Sequence, residues 1–280
     1  MEVMGAALCI TPGETVREWN LQVGGRPARV WIGGREGRRV LLLLHGGWGG
    51  AALHWSPVWG PLSARFHVVA PELPGLSAGS PPGPCDLPGF AAWVEGLLDT
   101  LHLPAVWLVG NSFGASLAWQ IAAARSGRCA GLVLINGGPP SIPLPARLLF
   151  ALPGAGLLVE AVTRRLSFSR ETPRRAFADP ARVPEELRRL FETHASPQLA
   201  LMSEVVRRGG VAREVPRLPA LILWGTADHL PGISVESARR LQRRLPGAHL
   251  VLIDSAGHLP QLEQPEQVAE AIIQFVASQP

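Results

Sequence analysis

Ala105-Val-Trp-Leu-Val109, Gly110-Asn111-Ser112-Phe113-Gly114 and Ala115-Ser-Leu-Ala-Trp-Gln-Ile-Ala-Ala-Ala124 follow one another without a break: an apolar run of β character, a turn bounded by glycines, and a small-residue helical stretch. A serine hydroxyl is a poor nucleophile unless its Oγ is lifted out of the fold towards a base, and a sharp strand-to-helix turn does that. Gly110 and Gly114 lack Cβ atoms, so the backbone there can strain and pack closely. Phe113 puts its backbone N–H beside the serine at the start of a helix, where negative charge developing on a substrate oxygen is favoured. Ser112 is therefore the candidate nucleophile, and Phe113 a candidate donor to an oxyanion.

A nucleophile needs a base, and the base needs an orienting acid. Asp228 follows the apolar run Ala220 to Trp224 and the turn Gly225-Thr226-Ala227, while His258 follows the run Leu250 to Ile253 and the loop Asp254 to Gly257. The chain order Ser, Asp, His, with His45-Gly46-Gly47 after the run Val40 to Leu44, resembles the α/β-hydrolase family, and the likeness covers nearly the whole chain. The resemblance implies a triad of Ser112, Asp228 and His258. His258 would take the serine proton, Asp228 would hold the imidazole tautomer and stabilise its cation, and water would release an acyl-enzyme. It also implies a second oxyanion donor at Gly47, with Trp48 as the alternative because the glycines permit a one-residue shift in register. His45 resembles the family's loop-shaping histidine, bonded to backbone.

Other residues compete for these roles among eight histidines. His229 adjoins Asp228, but neighbours on an extended segment point opposite ways, so it is expected on a loop near the pocket mouth. His54, His67, His102, His194 and His249 stand alone without ligand-like spacing, which predicts surface or satisfied structural roles. No cluster implies a metal, and no cofactor is expected. Asp254 is a rival orienter for His258, with a structural loop cap as its expected role. Asn136 ends the run Leu132 to Ile135, where some relatives carry their acid; an amide cannot replace a carboxylate.

A chain of 280 residues with 47% hydrophobic content suits one α/β domain with an inserted cap. All 26 basic residues are arginine and the formal charge is only +4, with scattered pairs such as Arg38-Arg39, Arg164-Arg165 and Arg243-Arg244, which disfavours a nucleic-acid partner. Three widely separated cysteines, Cys9, Cys85 and Cys129, suggest reduced thiols and a cytoplasmic location. Met1 to Ile10 lacks the pattern of a secretory signal, and Leu148 to Val162 is broken by Pro153, Gly154 and Gly156 and carries Glu160, so no stable membrane insertion is expected. Oligomeric state leaves no mark in the sequence.

Strands are predicted at Ala28 to Ile32, Val40 to Leu44, Phe66 to Val69, Ala105 to Val109, Leu132 to Ile135, Ala220 to Leu223 and Leu250 to Ile253, alternating with helical stretches. This predicts the α/β class: a mostly parallel sheet with helices on both faces. An opening antiparallel portion, roughly Thr15 to Ile32, is suggested by the family likeness and by Gly24-Gly25 as a hairpin turn. Pro71-Glu72-Leu73-Pro74-Gly75 resembles a family loop in which aspartate is commoner than Glu72, and Leu76 to Ser80 lacks the histidine often found there. From 138 to 210 prolines give way to amphipathic helical pieces, the expected helical cap after the sixth strand, with residues 1–137 and 211–280 as the core. Such an insertion lies above the strands' carboxyl ends, where open α/β sheets bind ligands. Leu148, Leu149, Phe150, Leu157, Leu158, Phe168 and Phe177 offer this roof an apolar lining. Trp48, Phe150 and Leu259 are the expected substrate contacts.

The likeness separates reaction classes. Dehalogenases and epoxide hydrolases of the fold use a nucleophilic aspartate, and position 112 is serine; with no tyrosine in the chain, epoxide-activating tyrosines are absent as well. A carboxylic ester hydrolase acting on a small or medium hydrophobic ester is the leading expectation. Carbon-carbon hydrolases of ring-fission diketones share the Gly-Asn-Ser-aromatic-Gly pattern, but they generally carry tryptophan after the histidine, where this chain has Leu259. They also use a cap arginine, for which Arg164, Arg165, Arg170, Arg174 and Arg175 are candidates. A ligand-binding homologue with weak turnover is the third reading.

Overall fold

Runs such as Val40-Leu-Leu-Leu-Leu44 have no polar face to offer water, so they form strands only if both faces of the sheet are covered. The computed structural model describes residues 16–77, 80–124, 126–139, 144–150, 152–192, 196–209, 212 and 214–280. Cys9, the stretch Met1 to Ile10, Thr15, Ala78, Gly79 and His194 lie outside the described residues.

In chain order the elements are β1 (Arg17–Val23), β2 (Arg26–Gly33), β3 (Val40–Leu44), α1 (Ala51–Ser63), β4 (His67–Pro71), α2 (Leu87–Thr100), β5 (Val106–Asn111), α3 (Phe113–Ala124) and β6 (Cys129–Ile135). Then come α4 (Leu144–Phe150), α5 (Gly156–Ser167), α6 (Thr172–Ala176), α7 (Glu185–Glu192), α8 (Pro197–Arg208), β7 (Ala220–Gly225), α9 (Val235–Arg244), β8 (His249–Ile253), α10 (Pro260–Glu263) and α11 (Pro265–Ala277). The eight strands form one sheet in the order β1-β2-β4-β3-β5-β6-β7-β8. β3 to β8 run parallel, and the β1–β2 hairpin, turning at Gly24-Gly25, adds antiparallel strands beside β4. Every predicted strand is present, and their ends shift by a few residues.

Alternate side chains of the strands feed two cores. Leu42, Leu44, Leu108, Leu132, Leu134 and Ile222 pack against α2, α3 and α9. Leu41, Leu43, Trp107, Val109, Val133 and Leu221 pack against α1 and α11. The connections diverge between β3 and β5: β3 continues to β4 on one side, and β5 to β6 on the other. A crevice opens above such a switch point at the strands' carboxyl ends. The His45-Gly46-Gly47 loop leaves β3 there and Ser112 leaves β5.

α4 to α8 are inserted between β6 and β7 as a helical cap. Beneath them a third cluster joins Phe168, Phe177, Leu187, Phe191 and Leu199 of the cap to Trp48, Leu230 and Leu259 of the core loops. The expected lining divides here. Phe168 and Phe177 are buried in the cluster and Phe150 is buried on α4, whereas Leu148, Leu149, Leu157 and Leu158 are exposed and line nothing. α5 has one inward stripe, Val159 and Thr163, and a helix cannot turn Leu157 and Leu158 to the same side.

Candidate active site

The turn that carries Ser112 is built from close backbone contacts. A Cβ added at Gly110 would lie 2.2 Å from the Gly114 carbonyl oxygen, and one at Gly114 would lie 2.0 Å from that of Leu44. Both glycines are needed for this approach; neither has a positive φ, and the strained residue is Ser112 itself, at φ 54°. Its backbone N–H donates to the Ile135 carbonyl at 3.0 Å, and its carbonyl accepts from Ala115 and Ser116 at 3.1 Å each. Phe113 opens α3, so its N–H has no acceptor within the helix and stands at the positive end of the helix dipole.

Asp228 follows β7 and His258 follows β8, the two strands beyond β6, and both side chains are buried. His258 Nδ1 lies 2.6 Å from Asp228 Oδ2, and Asp228 Oδ1 accepts the Leu230 N–H at 3.1 Å. Two asparagines brace the pair. Asn136 Nδ2 donates to the same Asp228 Oδ2 at 2.8 Å, while its Oδ1 accepts the Gly225 N–H at 2.9 Å. Asn111 Nδ2 donates to the carbonyls of His258 at 3.0 Å and Ile135 at 3.2 Å, which ties the serine's strand to the histidine's loop. The hydroxyl of Ser112 makes no hydrogen bond to His258 among the described residues; the imidazole lies against the indole of Trp48, with ring centroids 5.0 Å apart. Asp254, the rival acid, is exposed and its side chain forms no hydrogen bond among the described residues, so the expected loop cap is absent.

The loop after β3 runs directly past this group. A Cβ at Gly46 would lie 3.4 Å from Ser112 Cβ, and one at Gly47 would lie 3.2 Å from Met202 Sδ on α8, so the cap sits down on the loop. Trp48 is buried between His258 and the edge of Phe191, at 5.1 Å. Leu259 lies in the same apolar cluster; Phe150 does not belong to it. His45 is buried, with Nδ1–H donating to the Gly46 carbonyl at 2.7 Å and Nε2 accepting the Leu73 N–H at 2.8 Å, the backbone role expected of it. Both bonds use the neutral ring, and burial lowers its pKa. Among the described residues, no group of three or more His, Cys, Asp or Glu side chains converges as a metal site.

A family model described as the alpha/beta hydrolase family matches residues 41–271. The chain belongs to the alpha/beta hydrolase family. This hydrolase is 28% identical over 268 residues to the 2-hydroxy-6-oxononadienedioate/2-hydroxy-6-oxononatrienedioate hydrolase 2 of Pseudomonas putida, covering 86% of this chain and 88% of that one. It is 29% identical over 253 residues to the pimeloyl-[acyl-carrier protein] methyl ester esterase of Aromatoleum aromaticum, covering 84% of this chain and 97% of that one. Among solved structures, the 2-hydroxy-6-oxo-6-phenylhexa-2,4-dienoate hydrolase from Rhodococcus sp. strain RHA1 shares the fold, with a TM-score of 0.73, 23% identity and coverage of 94% of this chain and 99% of that one.

The hydrolase contains supports that sequence reasoning missed. Glu72 is buried below the loop after β3, where Oε2 accepts the Ala51 N–H at 3.0 Å and Oε1 accepts from Trp31 Nε1 at 3.1 Å; it caps α1 from outside, since Gly50 has no side chain to do so. Glu263 accepts N–H bonds from Gly257 at 2.6 Å and from Ala178 at 2.9 Å, and joins the histidine loop to the cap. Burial raises its pKa. The backbones of Arg175 and Ala176 accept the N–H groups of His229 and His258, so segment 175–179 is laced to both the acid's and the base's loops. His229 is exposed, His102 and His249 are surface residues, and His67 is buried on β4.

His54 takes the structural one of its two expected roles. Its ring is buried beside Gly46, with Nδ1–H donating to the Gly50 carbonyl at 3.0 Å. Burial, reinforced by the neighbouring His45, pushes its pKa down to about 3 from an ordinary 6.5. On acidification the unfolded chain therefore takes up this proton first. The stabilising contribution is complete above about pH 6.5 and drains away as pH falls towards 3. Urea midpoints measured through this range are expected to fall, and to fall less steeply for His54→Asn.

Proposed function

We propose that this hydrolase is a serine esterase that cleaves small hydrophobic carboxylic esters. Its site would lie between the α/β core, 1–137 and 211–280, and the cap, 138–210. Ser112 Oγ attacks the ester carbonyl while His258 Nε2 takes its proton. The N–H groups of Phe113 and Gly47 receive the developing oxyanion, with Trp48 as the alternative to Gly47. Collapse of the tetrahedral species expels the alcohol, protonated by His258, and leaves an acyl-Ser112. Water, deprotonated by His258, then releases the acid. Asp228 holds Nδ1 protonated and faces the imidazolium when it forms.

The observation that carries this reading is the union of Ser112, at positive φ on a strand-to-helix turn, with an Asp228–His258 pair 2.6 Å apart, bridged by Asn111. An ester is favoured over a charged diketone because Trp48, Phe191 and Leu259 make an apolar surround. Arg164 and Arg174, moreover, face Glu160 at 2.7 Å and Glu171 at 3.6 Å. Carbon-carbon cleavage is the second reading, on the strength of relatives named as hydrolases of oxo-dienoates.

The test is a series of p-nitrophenyl esters of increasing acyl length beside a ring-fission diketone. Ester turnover with a preference for short to medium acyl chains is the expected result. Dominant diketone cleavage would install the second reading, and saturable binding without turnover would mark a ligand-binding homologue.

A further inference from the structure

The leucines that sequence reasoning assigned to the pocket roof form an outward surface on the cap. Leu148 is 63% exposed, Leu149 45%, Leu157 82% and Leu158 43%, on α4 and α5, and Leu152, 56% exposed in the turn between the two helices, adds to them. α5 uses its inner stripe, Val159 and Thr163, for packing, and its contacts are with α8 and α4. Leu157 projects on the opposite side, roughly 160° from Val159 at 100° per residue. Exposed apolar area of this kind, gathered in one place, marks an interaction surface.

Its charge says what meets it. Residues 144–171 contain Arg147, Arg164, Arg165 and Arg170 against two acids, Glu160, which Arg164 bonds at 2.7 Å, and Glu171, which lies 3.6 Å from Arg174. Arg165 is exposed seven residues after Leu158, on the same side of α5, and Arg170 is exposed just beyond the end of that helix. A second copy of the chain in a twofold contact would set this positive patch against itself. An anionic lipid surface matches both halves of the pattern: leucines enter the boundary between headgroups and acyl chains, and arginines meet the phosphates. Among the described residues no helix is long and apolar enough to cross a membrane. The contact therefore lies in the plane of the surface, along the 12 residues of α5.

We propose that the outer face of α4 and α5 docks the hydrolase, cap first, onto anionic bilayers. This surface is independent of the reaction assigned to Ser112, so either assignment can fail without the other.

The experiment is co-sedimentation of the full chain with vesicles of phosphatidylcholine alone and of phosphatidylcholine mixed with phosphatidylglycerol, at low and high salt. Binding to the anionic vesicles is expected, with a loss of about 10-fold or more at high salt or in the Leu157→Glu/Leu158→Glu variant. That variant should keep the wild-type Tm and wild-type turnover of a water-soluble ester. Arg165→Gln/Arg170→Gln should weaken binding to anionic vesicles selectively. The proposal is overturned if wild-type protein stays in the supernatant with anionic vesicles, or if the leucine variant pellets as well as wild type. It is equally overturned if sedimentation velocity shows a dimer that this variant dissociates and no vesicle binding is seen, since the patch would then be a self-contact.

Discussion

Ser112→Ala is expected to lose ester turnover by about 10^4-fold or more while folding normally. Nothing structural rests on the hydroxyl: the bonds that hold the turn run through the Ser112 N–H to Ile135 and through its carbonyl to Ala115 and Ser116, and alanine keeps all three. Alanine also has a Cβ, so it inherits the same strain at φ 54°. Ser112→Gly separates the two properties. Glycine relieves the left-handed conformation and should raise stability by about 1 kcal/mol, with activity equally absent. A turn stabilised by removal of its serine would mean that the strain is maintained for chemistry. Activity of the alanine variant within 10-fold of wild type would eliminate Ser112 as nucleophile.

Asp228→Asn is expected to cost about 10^4-fold in kcat, with a modest loss of stability. Every group that faces this carboxylate is a donor: His258 Nδ1–H and the Asn136 amide at Oδ2, and the Leu230 N–H at Oδ1. An amide satisfies only one side. With its NH2 towards Leu230, two donors confront each other. With its NH2 towards His258, the imidazole must accept at Nδ1 and carry its proton on Nε2, where the serine's proton has to go. Either outcome leaves the imidazolium without its counter-charge. The measurement is kcat on a p-nitrophenyl ester across pH, beside Asp254→Asn as control. Full activity of Asp228→Asn together with loss in Asp254→Asn would transfer the role to Asp254.

The strands from β3 to β7 are legible because they are short apolar runs buried on both faces, and β8 is an apolar run as well although Val251 and Leu252 are partly exposed at the sheet edge; hydrophobicity alone announces such runs. The pairing of Asp228 with His258 was legible because each stands just beyond such a run. Other features depend on contacts between distant segments. Asn136 stands in the sequence where an acid would be expected, and its actual partner, Asp228, lies 92 positions away. Glu72 and Glu263 cap backbone N–H groups contributed by other elements, and a lone carboxylate in a sequence carries no sign of that. His54 stood alone in the chain and is buried by the fold of the loop beside it. The misplaced leucines were different, because the signal was present. Leu157 and Val159 cannot share one helix face, and a wheel projection would have put one of them in solvent.

The lacing of segment 175–179 to the loops of Asp228 and His258 bears on how such proteins can be recombined. A cap inserted between two strands looks like an exchangeable module, to be cut out at its ends and replaced by that of a relative to change specificity. In this chain the centre of the insertion belongs to the scaffold. Ala176 and Ala178 hold the base's loop in place through their own backbones and through Glu263, whereas among the described residues α4, α5 and α8 form no hydrogen bond with it. A graft that respects only the boundaries of the insertion would carry away these supports, and one that keeps residues 172–179 native and exchanges the helices on either side would preserve them.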